Sequence, residues 1–391
     1  MKPLKQISIF DTTLRDGEQA PGNSMTYDQK LEIFSALDSI GVNVIETGFP
    51  SATEYDFNVT KELGKLSRNA KICTFSRANV TDLDVSIKAL NGASNFQVQI
   101  LVVGSEIHLE HKRQITAESA IQEAVSSVRY LRSHGIQDIS VIIEDATRGS
   151  YDYLKRLIHH SVEAGATTVV LADTVGCSIP EEFGNLVKNV RGWIGSNIKL
   201  SVHCHDDLGL ALANSLAGIA YGADEVQTTL CGIGERAGNT ALEELVAVML
   251  YKKDLYNCYT DIDNLKIYEA CQLLINKINL PMTRYKSIIG DYVFSTEAGI
   301  HQQGMIRNPL TYEFVEPHKF GRERRMIIGP HSGRSILRDG LEKQDIKVDP
   351  YLIDQLYNVI MASGDFDQIN DPECLMNKYL ELKSTMLTTV I

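Results

Sequence analysis

The sequence predicts an α/β protein in which a (β/α)8 barrel, known as a TIM barrel, is followed by a mainly helical C-terminal subdomain. Short β-rich runs alternate with longer amphipathic stretches up to about residue 251, eight such runs can be counted, and the alternation then stops. At 391 residues the chain has room for a barrel of about 250 residues and a substantial further region. We therefore place the barrel at residues 1–270 and the subdomain at residues 271–391.

The predicted strands are the short runs of β-branched and aliphatic residues. Eight strands is the number that closes a barrel, although an open doubly wound sheet would show a similar alternation. The runs are ISIFD (from 7), VNVIETGF (from 42), KICTFS (from 71), FQVQILVVG (from 96), ISVIIED (from 139), TTVVLAD (from 167), KLSVHCHDD (from 199) and EVQTTLCGIG (from 225).

The predicted helices lie between these runs, and several end at a glycine, which suits the residue after a helix. Beyond residue 251 come a helical pattern, a segment rich in glycine, proline and charge, and a second helical region. The barrel helices are predicted at 27–41, 117–135, 152–165 and 211–222, and the later segments at 265–280, 287–332 and 335–363.

Composition excludes several classes of function. With 43% hydrophobic and 23% charged residues the chain resembles an ordinary globular protein, and it has neither a secretory signal nor a run of about 20 apolar residues. The net charge of -12 disfavours nucleic acid and membrane surfaces as partners. The seven cysteines are scattered singly, which is typical of reduced thiols, so we expect a cytoplasmic protein.

The strongest local signal is the pair His203 and His205 at the end of the seventh predicted strand. A period of two places both imidazoles on one face, which in a barrel is the interior at the catalytic end. Such a pair suits Mn, Fe, Co or Zn. Taken alone it is equally compatible with two histidines that hydrogen-bond in a polar core.

Other predicted strand ends also carry polar groups, and a barrel brings these ends together at one rim. The eighth strand leads into a glycine-rich turn whose backbone amides can approach an anion closely. This turn is our candidate for binding an anionic cofactor. The groups are Asp11, Arg15, Asp16 and Glu18 after the first strand, Glu144, Asp145 and Arg148 after the fifth, Asp173 and Thr174 after the sixth, and Gly232, Gly234, Glu235, Arg236 and Asn239 after the eighth.

Nearly the whole chain resembles a family of acyl-CoA:2-oxo acid condensing enzymes, which includes 2-isopropylmalate, homocitrate and citramalate synthases. The segments that carry the resemblance are DTTLRDGEQAPG, IETGFP, ADTVG, HCHDDLGLA, GIGERAGNTALEE and GIHQQG. IETGFP looks more like the 2-isopropylmalate synthase branch, which serves leucine biosynthesis. The resemblance implies a transferase that condenses acetyl-CoA with a 2-oxo acid and releases CoA.

The resemblance also implies roles for individual residues. A divalent cation, Mn²⁺, Mg²⁺ or Zn²⁺, would be bound by Asp16, His203, His205 and Asn239. Arg15 and Thr174 would hold the carboxylate of the 2-oxo acid and help polarise its ketone.

The same resemblance places the deprotonation of acetyl-CoA in the C-terminal region. His301 and Tyr312 match a catalytic His and Tyr that in relatives reach the barrel of the neighbouring subunit, and Glu144 matches a carboxylate that organises them. We therefore expect a homodimer with shared active sites.

Several positions expected to line the oxo-acid pocket depart from the family pattern. Gln99, Ile142, Val170 and Ala172 stand where typical 2-isopropylmalate synthases carry His, Ser, Asn and Pro. The substrate is therefore open, with 2-oxoisovalerate as the default. A distal carboxylate, as in homocitrate synthesis, would need a cation from the following loop, for which His108, His111, Lys112 and Arg113 are the candidates.

Three alternatives stay open at this point. They are a homocitrate-type, citramalate-type or other 2-substituted-malate synthase, a carbon-carbon lyase acting on a 3-hydroxyacyl-CoA in the same barrel, and a non-catalytic metal-binding protein. Because the sequence ends at residue 391, we expect no leucine feedback through a C-terminal regulatory domain.

Overall fold

The structure, a computed structural model, describes residues 3–389 and divides into two compact units. The first unit ends at Met282 and the second begins at Thr283. The first unit contains a closed barrel of eight parallel strands, so the fold class predicted from the sequence is confirmed. None of the helices within residues 3–389 is long and apolar enough to cross a membrane.

The eight barrel strands pair in sequence order, and the last closes onto the first. Ser8 pairs with Glu225 and Phe10 with Gln227 at this closure. The strands are β1 (Ser8–Asp11), β2 (Val44–Glu46), β3 (Lys71–Arg77), β4 (Phe96–Val103), β5 (Ile139–Glu144), β6 (Thr168–Asp173), β7 (Lys199–Cys204) and β8 (Glu225–Thr228).

A helix follows each strand and packs on the outside of the barrel. A short parallel pair, Lys5–Gln6 with Cys258–Tyr259, and a short helix at Lys253–Tyr256 complete this region. The long helices are α1 (Tyr27–Ser39), α2 (Glu54–Leu66), α3 (Val80–Ala89), α4 (Ala117–Ser133), α5 (Tyr151–Ala164), α6 (Pro180–Ile194), α7 (Ala211–Tyr221), α8 (Leu242–Tyr251) and α9 (Ile267–Ile278).

The ends of these helices follow from local sequence. Thr26 and Gln29 form a reciprocal capping box at the start of α1, which satisfies backbone N–H groups that have no partner within the helix. At the other end, Gly165 and Gly222 follow α5 and α7 with φ of 117° and 121°, a conformation that glycine adopts without strain. The predicted glycine stops at these two helices are therefore confirmed.

The second unit is mainly helical. Its one two-stranded parallel pair within the described residues joins Ser295–Thr296 to Arg325–Met326. The helix Gly299–Arg307 lies inside the glycine- and charge-rich segment, where the sequence showed no helical pattern. The helices are α10 (Gly299–Arg307), α11 (Arg334–Glu342), α12 (Pro350–Ser363), a short turn at Phe366–Ile369 and α13 (Pro372–Thr389).

The core of the second unit is formed by the apolar faces of α11, α12 and α13. Leu337, Leu356 and Tyr379 are fully buried in this cluster. The hydroxyl of Tyr379 accepts a hydrogen bond of 2.8 Å from the backbone N–H of Asp349, which ties α13 to the start of α12.

We predict that Leu356→Ala destabilises the second unit by about 2–5 kcal/mol, because it removes fully buried methyl groups and leaves a cavity. The free energy of unfolding from urea denaturation measures this loss. The control is Val359→Ala on the same helix, where the side chain is 37% exposed and a change within about 0.5 kcal/mol is expected. Equal losses for the two variants would contradict the assigned core.

Candidate metal and substrate site

A cavity of about 660 Å³ opens at the carboxyl ends of the barrel strands, where TIM-barrel enzymes place their active sites. Its lining belongs entirely to the first unit and combines ionic, imidazole and apolar side chains. The lining residues include Arg15, Asp16, Gln19, Phe49, Phe75, Arg77, Asn79, Leu101, Val103, Lys112, Arg113, Glu123, Ile142, Glu144, Ala172, Thr174, His203, His205, Glu235 and Arg236.

The segment after β1 turns Arg15 and Asp16 into this cavity. Residues Thr13–Gly17 form a single wide π-helical turn, a conformation that often occurs at functional sites. The Thr12 hydroxyl accepts a hydrogen bond of 3.2 Å from the backbone N–H of Asp16 and so holds the turn. At Gly17 a β-carbon would lie 2.9 Å from the side chain of Ile233, so this turn and the β8 loop approach each other closely.

Asp16, His203 and His205 converge at the bottom of the cavity. The two Nε2 atoms are 3.1 Å apart, and Oδ2 of Asp16 lies 3.6 Å from His203 Nε2 and 3.7 Å from His205 Nε2. Among residues 3–389 this is the one cluster of at least three His, Cys, Asp or Glu side chains that meets the geometry for holding a metal ion.

The cluster fits a divalent cation. Ligands about 2.1 Å from one ion, at angles between 90° and 109°, lie roughly 3.0–3.4 Å from one another, close to the separations seen here. The three side chains are buried, which brings a carboxylate and two imidazoles out of water and makes a shared cation favourable.

Asn239, the fourth predicted ligand, lies beside this cluster at the end of the β8 loop. Its Nδ2 donates to Oδ2 of Asp16 at 2.6 Å and to the backbone oxygen of Ile233 at 3.1 Å. Its buried Oδ1 has no hydrogen-bond partner among the described residues. At Gly234, where φ is 154°, a β-carbon would collide with the Asn239 amide, so this glycine makes room for Asn239.

The protonation states of the three groups also suit a metal. Burial alone would raise the pKa of Asp16, but the charge of Arg15 and the two imidazoles lower it to about 2. Burial, together with the neighbouring imidazole of His205, lowers the pKa of His203 to about 3. Burial also lowers the pKa of His205. At neutral pH the cluster is therefore a carboxylate with two neutral imidazoles, the forms that bind metals.

Arg15 is held at two of its nitrogens. Its Nε donates to Oε2 of Glu46 at 2.6 Å, and its Nη1 donates to Oδ1 of Asp16 at 3.1 Å. Burial opposes the positive charge, but the two carboxylates raise the pKa of Arg15. The guanidinium also stacks 4.7 Å from the ring centre of Phe75. Within the described part of the chain, Nη2 has no protein partner.

Four further cations line the cavity, and each is already paired with a carboxylate through two hydrogen bonds. The shortest contact in each pair is between 2.6 and 2.9 Å. The pairs are Arg77 with Asp82, Lys112 with Glu144, Arg113 with Glu123, and Arg236 with Asp207. Lys112 and Arg113, two of the loop residues considered as partners for a distal carboxylate, thus line the cavity, but each is already bonded to a carboxylate of the protein.

An apolar wall adjoins the ionic groups, and we define it as Phe49, Phe75, Leu101, Ile142 and Ala172. Its members pack into one cluster together with Val170. Ala172 is the register neighbour of His203 across β6 and β7, so the wall begins directly beside the metal cluster.

The other expected pocket residues take different places. Ile142 and Thr174 line the cavity, whereas Gln99 and Val170 are wholly buried and do not line it. The Thr174 hydroxyl accepts a hydrogen bond of 2.8 Å from the backbone N–H of Asp145. Gln99 faces the barrel axis one layer below Leu101, since side chains alternate along a strand.

The loop after β8, which the sequence suggested for an anionic cofactor, contributes Glu235 and Arg236 to the cavity lining. Arg236 also donates to the backbone oxygen of Thr174 at 2.6 Å. Gly232 and Gly234 both have positive φ and support the turn without contributing side chains.

His301 and Tyr312 lie together in the second unit. Their rings are tilted by 30° with centroids 4.0 Å apart, and Tyr312 is half exposed. His301 lies on α10 and Tyr312 follows the short turn Pro309–Thr311. The pair forms an exposed aromatic contact of that unit.

Glu46 contacts Arg15 in this site, but it was not among the site residues predicted from the sequence. It is fully buried at the end of β2 and contacts Arg15, Thr12 and Gln99. The available signal was an acid at the end of the apolar run VNVIE, because a buried acid without a partner is rarely tolerated. Asp11 at the β1 end is buried away from the cavity, and burial raises its pKa to about 7.

Comparisons with known proteins agree with this architecture. The HMGL-like family matches residues 6–274, and the homocitrate synthase post-HMGL domain-like family matches residues 288–368. The chain is 42% identical to a 2-isopropylmalate synthase of Rhodopseudomonas palustris (strain BisB18) over 346 residues, 88% of this chain and 66% of that protein. It is 38% identical to that of strain HaA2 over 398 residues, 98% of this chain and 75% of that protein. The chain thus spans about two thirds of the length of the first relative.

Solved structures share the fold. The hydroxymethylglutaryl-CoA lyase of Pseudomonas aeruginosa superposes with a TM-score of 0.61 at 19% identity, covering 72% of this chain and 96% of that one. The HMG-CoA lyase of Brucella melitensis gives 0.60 at 17% identity, covering 71% and 100%.

We predict that His203→Ala abolishes binding of Mn²⁺ at this cluster, because it removes one of three converging ligands. Isothermal titration calorimetry on wild type should give one site per chain, and the variant none. The control His111→Ala removes an imidazole that is 69% exposed and should leave binding unchanged. Retention of wild-type affinity in His203→Ala would exclude this cluster as the metal site.

Proposed function

Because the chain belongs to the HMGL-like family, with 2-isopropylmalate synthases among its relatives, we propose that it condenses acetyl-CoA with an aliphatic 2-oxo acid. The default substrate is 2-oxoisovalerate, which would give 2-isopropylmalate and free CoA, a step of leucine biosynthesis. The observation that carries the proposal is the metal cluster flanked by Arg15 on one side and the apolar wall on the other. A cytoplasmic location belongs to the same proposal.

Arg15 provides the positive charge for the substrate carboxylate. Its Nη2 is available in the cavity, while Glu46 and Asp16 hold the rest of the guanidinium in place. A charge-assisted hydrogen bond from a nitrogen that is already oriented needs little reorganisation on binding. Thr174, whose hydroxyl lies at the same rim, is the second proposed contact for this carboxylate.

Asp16, His203 and His205 would hold the cation, with Asn239 beside them. When bound, the divalent ion, Mn²⁺ in our proposal, supplies Lewis-acid polarisation of the 2-oxo group and a template for the substrate. The chain itself then orients the substrate, since Arg15 lies next to Asp16 and Ala172 next to His203.

The apolar wall selects the substrate side chain. Phe75, Leu101, Ile142 and Ala172 offer aliphatic and aromatic surface and no hydrogen-bonding side chain. The four other cations around the cavity are each bound to a carboxylate, so a distal carboxylate would have to share or displace one of these partners. The site thus favours aliphatic 2-oxo acids over 2-oxoglutarate.

Deprotonation of acetyl-CoA requires a base, and we assign it to His301 with Tyr312 stacked against it. A neutral imidazole can accept a proton near pH 7. Glu144, which lines the barrel cavity and is held by Lys112 at 2.6 and 2.7 Å, is the proposed carboxylate of this network. In our proposal His301 acts on the barrel of the second subunit of a homodimer.

The reaction balances without a redox partner. His301 takes a proton from the methyl carbon of the thioester, that carbon forms a bond to the 2-oxo carbon, and the ketone oxygen receives a proton. Water then breaks the bond between carbonyl carbon and sulfur, which releases the thiol of CoA and leaves a second carboxylate. Hydrolysis of the thioester makes the condensation effectively irreversible.

We predict CoA release from acetyl-CoA with 2-oxoisovalerate and other aliphatic 2-oxo acids, and kcat/KM about 100-fold lower with 2-oxoglutarate, because its distal carboxylate meets the apolar wall and cations that already have carboxylate partners. Free thiol followed over a panel of 2-oxo acids measures both. Arg15→Gln should lose most of this activity for every acid, while Arg156→Gln, which alters an exposed pair, should not.

Two outcomes would overturn the proposal. One is preference for 2-oxoglutarate. The other is absence of CoA release with every acid while a 3-hydroxyacyl-CoA is cleaved, which would indicate a carbon-carbon lyase instead.

We predict that mixing Asp16→Ala and His301→Ala proteins restores part of the activity that each lacks. In a homodimer with shared sites, one mixed site in each heterodimer contains both intact residues. The assay is thiol release after mixing and subunit exchange. Mixing Asp16→Ala with His203→Ala is the control, since both changes affect the same barrel and no activity should return. Failure of the first mixture, with heterodimers demonstrated, would contradict a shared site.

A further inference from the structure

The barrel interior beneath the metal cluster holds a continuous series of hydrogen-bonded polar side chains, and two of its three members have no part in the proposed reaction. It runs from Glu46 through Gln99 to Gln227, and all three are at most 1% exposed. Nε2 of Gln99 donates to Oε1 of Glu46 at 2.8 Å, and Nε2 of Gln227 donates to Oε1 of Gln99 at 3.0 Å. Buried amides placed inside a barrel core call for a physical reason.

The carboxylate of Glu46, at one end of this series, fixes which atom donates and which accepts in each hydrogen bond. A carboxylate only accepts hydrogen bonds, so the amide nitrogen of Gln99 must face Glu46. The amide oxygen of Gln99 is therefore turned to Gln227, whose nitrogen must face it. Glu46 is held as an acceptor by Arg15 at 2.6 Å and by the Thr12 hydroxyl at 2.5 Å, so neither amide can be reversed without losing a hydrogen bond.

This series of hydrogen bonds ends beside a residue of the metal cluster. His203 and Gln227 are register partners on β7 and β8, so their side chains are neighbours on the same face of the sheet. Among residues 3–389, neither Oε1 of Gln227 nor Nδ1 of His203 has a hydrogen-bond partner, and both atoms are buried. An amide oxygen can only accept, so a hydrogen bond between these two atoms would place the proton of the neutral imidazole on Nδ1.

We propose that Gln99 and Gln227 are positioning residues for His203. The Glu46 carboxylate fixes the orientation of the Gln99 amide, which fixes that of the Gln227 amide, so that the Gln227 oxygen accepts from Nδ1 of His203 and holds this ring as the Nδ1–H tautomer. We call this arrangement the relay. Nε2 of His203 then carries a lone pair that faces Asp16 and the metal position. The inference rests on the proposed metal role of His203. Such outer hydrogen bonds fix ring orientation and raise ligand basicity.

The relay separates two functions that share Glu46. Glu46 orients Arg15 for the substrate through Oε2 and, through Oε1 and the two amides, orients His203 for the metal. A break at Gln99 should therefore weaken metal binding and leave Arg15 in place. This split distinguishes a positioning role from a general effect on packing.

The test compares Gln99→Leu, Gln99→His and Ser140→Ala by calorimetric titration with Mn²⁺. Gln99→Leu should weaken the metal Kd by about 10–100-fold. Gln99→His can still donate to Glu46 and accept from Gln227, so it should stay within about threefold of wild type. Ser140→Ala is the matched control, because it removes the 3.3 Å hydrogen bond to Gln99 Oε1 without interrupting the relay.

Two calorimetric outcomes would overturn the proposal. One is a wild-type Kd in a folded Gln99→Leu protein. The other is an equal loss in Ser140→Ala, which would mean that the buried layer acts by packing alone. Thermal unfolding of each variant shows whether it is folded.

A second measurement needs no variant in the relay. In wild type labelled with 15N-histidine and free of metal, the His203 signals, assigned by their loss in His203→Gln, should show a protonated Nδ1 and an unprotonated Nε2. The reverse tautomer would overturn the relay. Neither measurement uses substrate, so a wild type without CoA release would refute the proposed reaction and leave this result standing.

Discussion

The site depends on an excess of buried negative charge at the barrel mouth. Asp16 and Glu46 both contact the single guanidinium of Arg15, and the two imidazoles beside them are neutral. Burying a carboxylate without a counter-charge costs several kcal/mol. One arginine cannot compensate two acids fully, so the cluster favours a further positive charge. A divalent cation between Asp16, His203 and His205 would supply it.

The same constraint explains why Glu46 and the wide turn after β1 occur together. Arg15 lies within the turn Thr13–Gly17 and from there contacts both carboxylates. The Thr12 hydroxyl contacts both the Asp16 backbone and the Glu46 carboxylate, so turn and buried acid support each other. The backbone conformation of the turn and the charged contacts of the site therefore depend on each other.

The parts of this arrangement that are local in sequence could be predicted. The alternation of strands and helices predicted the barrel, and the period of two predicted that His203 and His205 share a face, as they do at 3.1 Å. Pairings between distant segments could not be derived in this way. From the sequence, Lys112 was a candidate to bind a substrate carboxylate, whereas in the structure it is bound to Glu144. The sequence around Lys112 does not indicate that Glu144 lies beside it. The helix around His301 was obscured by its glycines.

In our proposal, substrate specificity depends on two interaction energies, that of a side chain with the apolar wall and that of a charged group with the paired cations. An aliphatic wall such as Leu101, Ile142 and Ala172 distinguishes side chains that differ by one methylene by only about 1–3 kcal/mol. The four cations around the cavity are each paired with a carboxylate, so a second acid group would compete with those partners for hydrogen-bond donors. We therefore propose that the cavity is selective between uncharged and charged side chains, and permissive about length within the uncharged class.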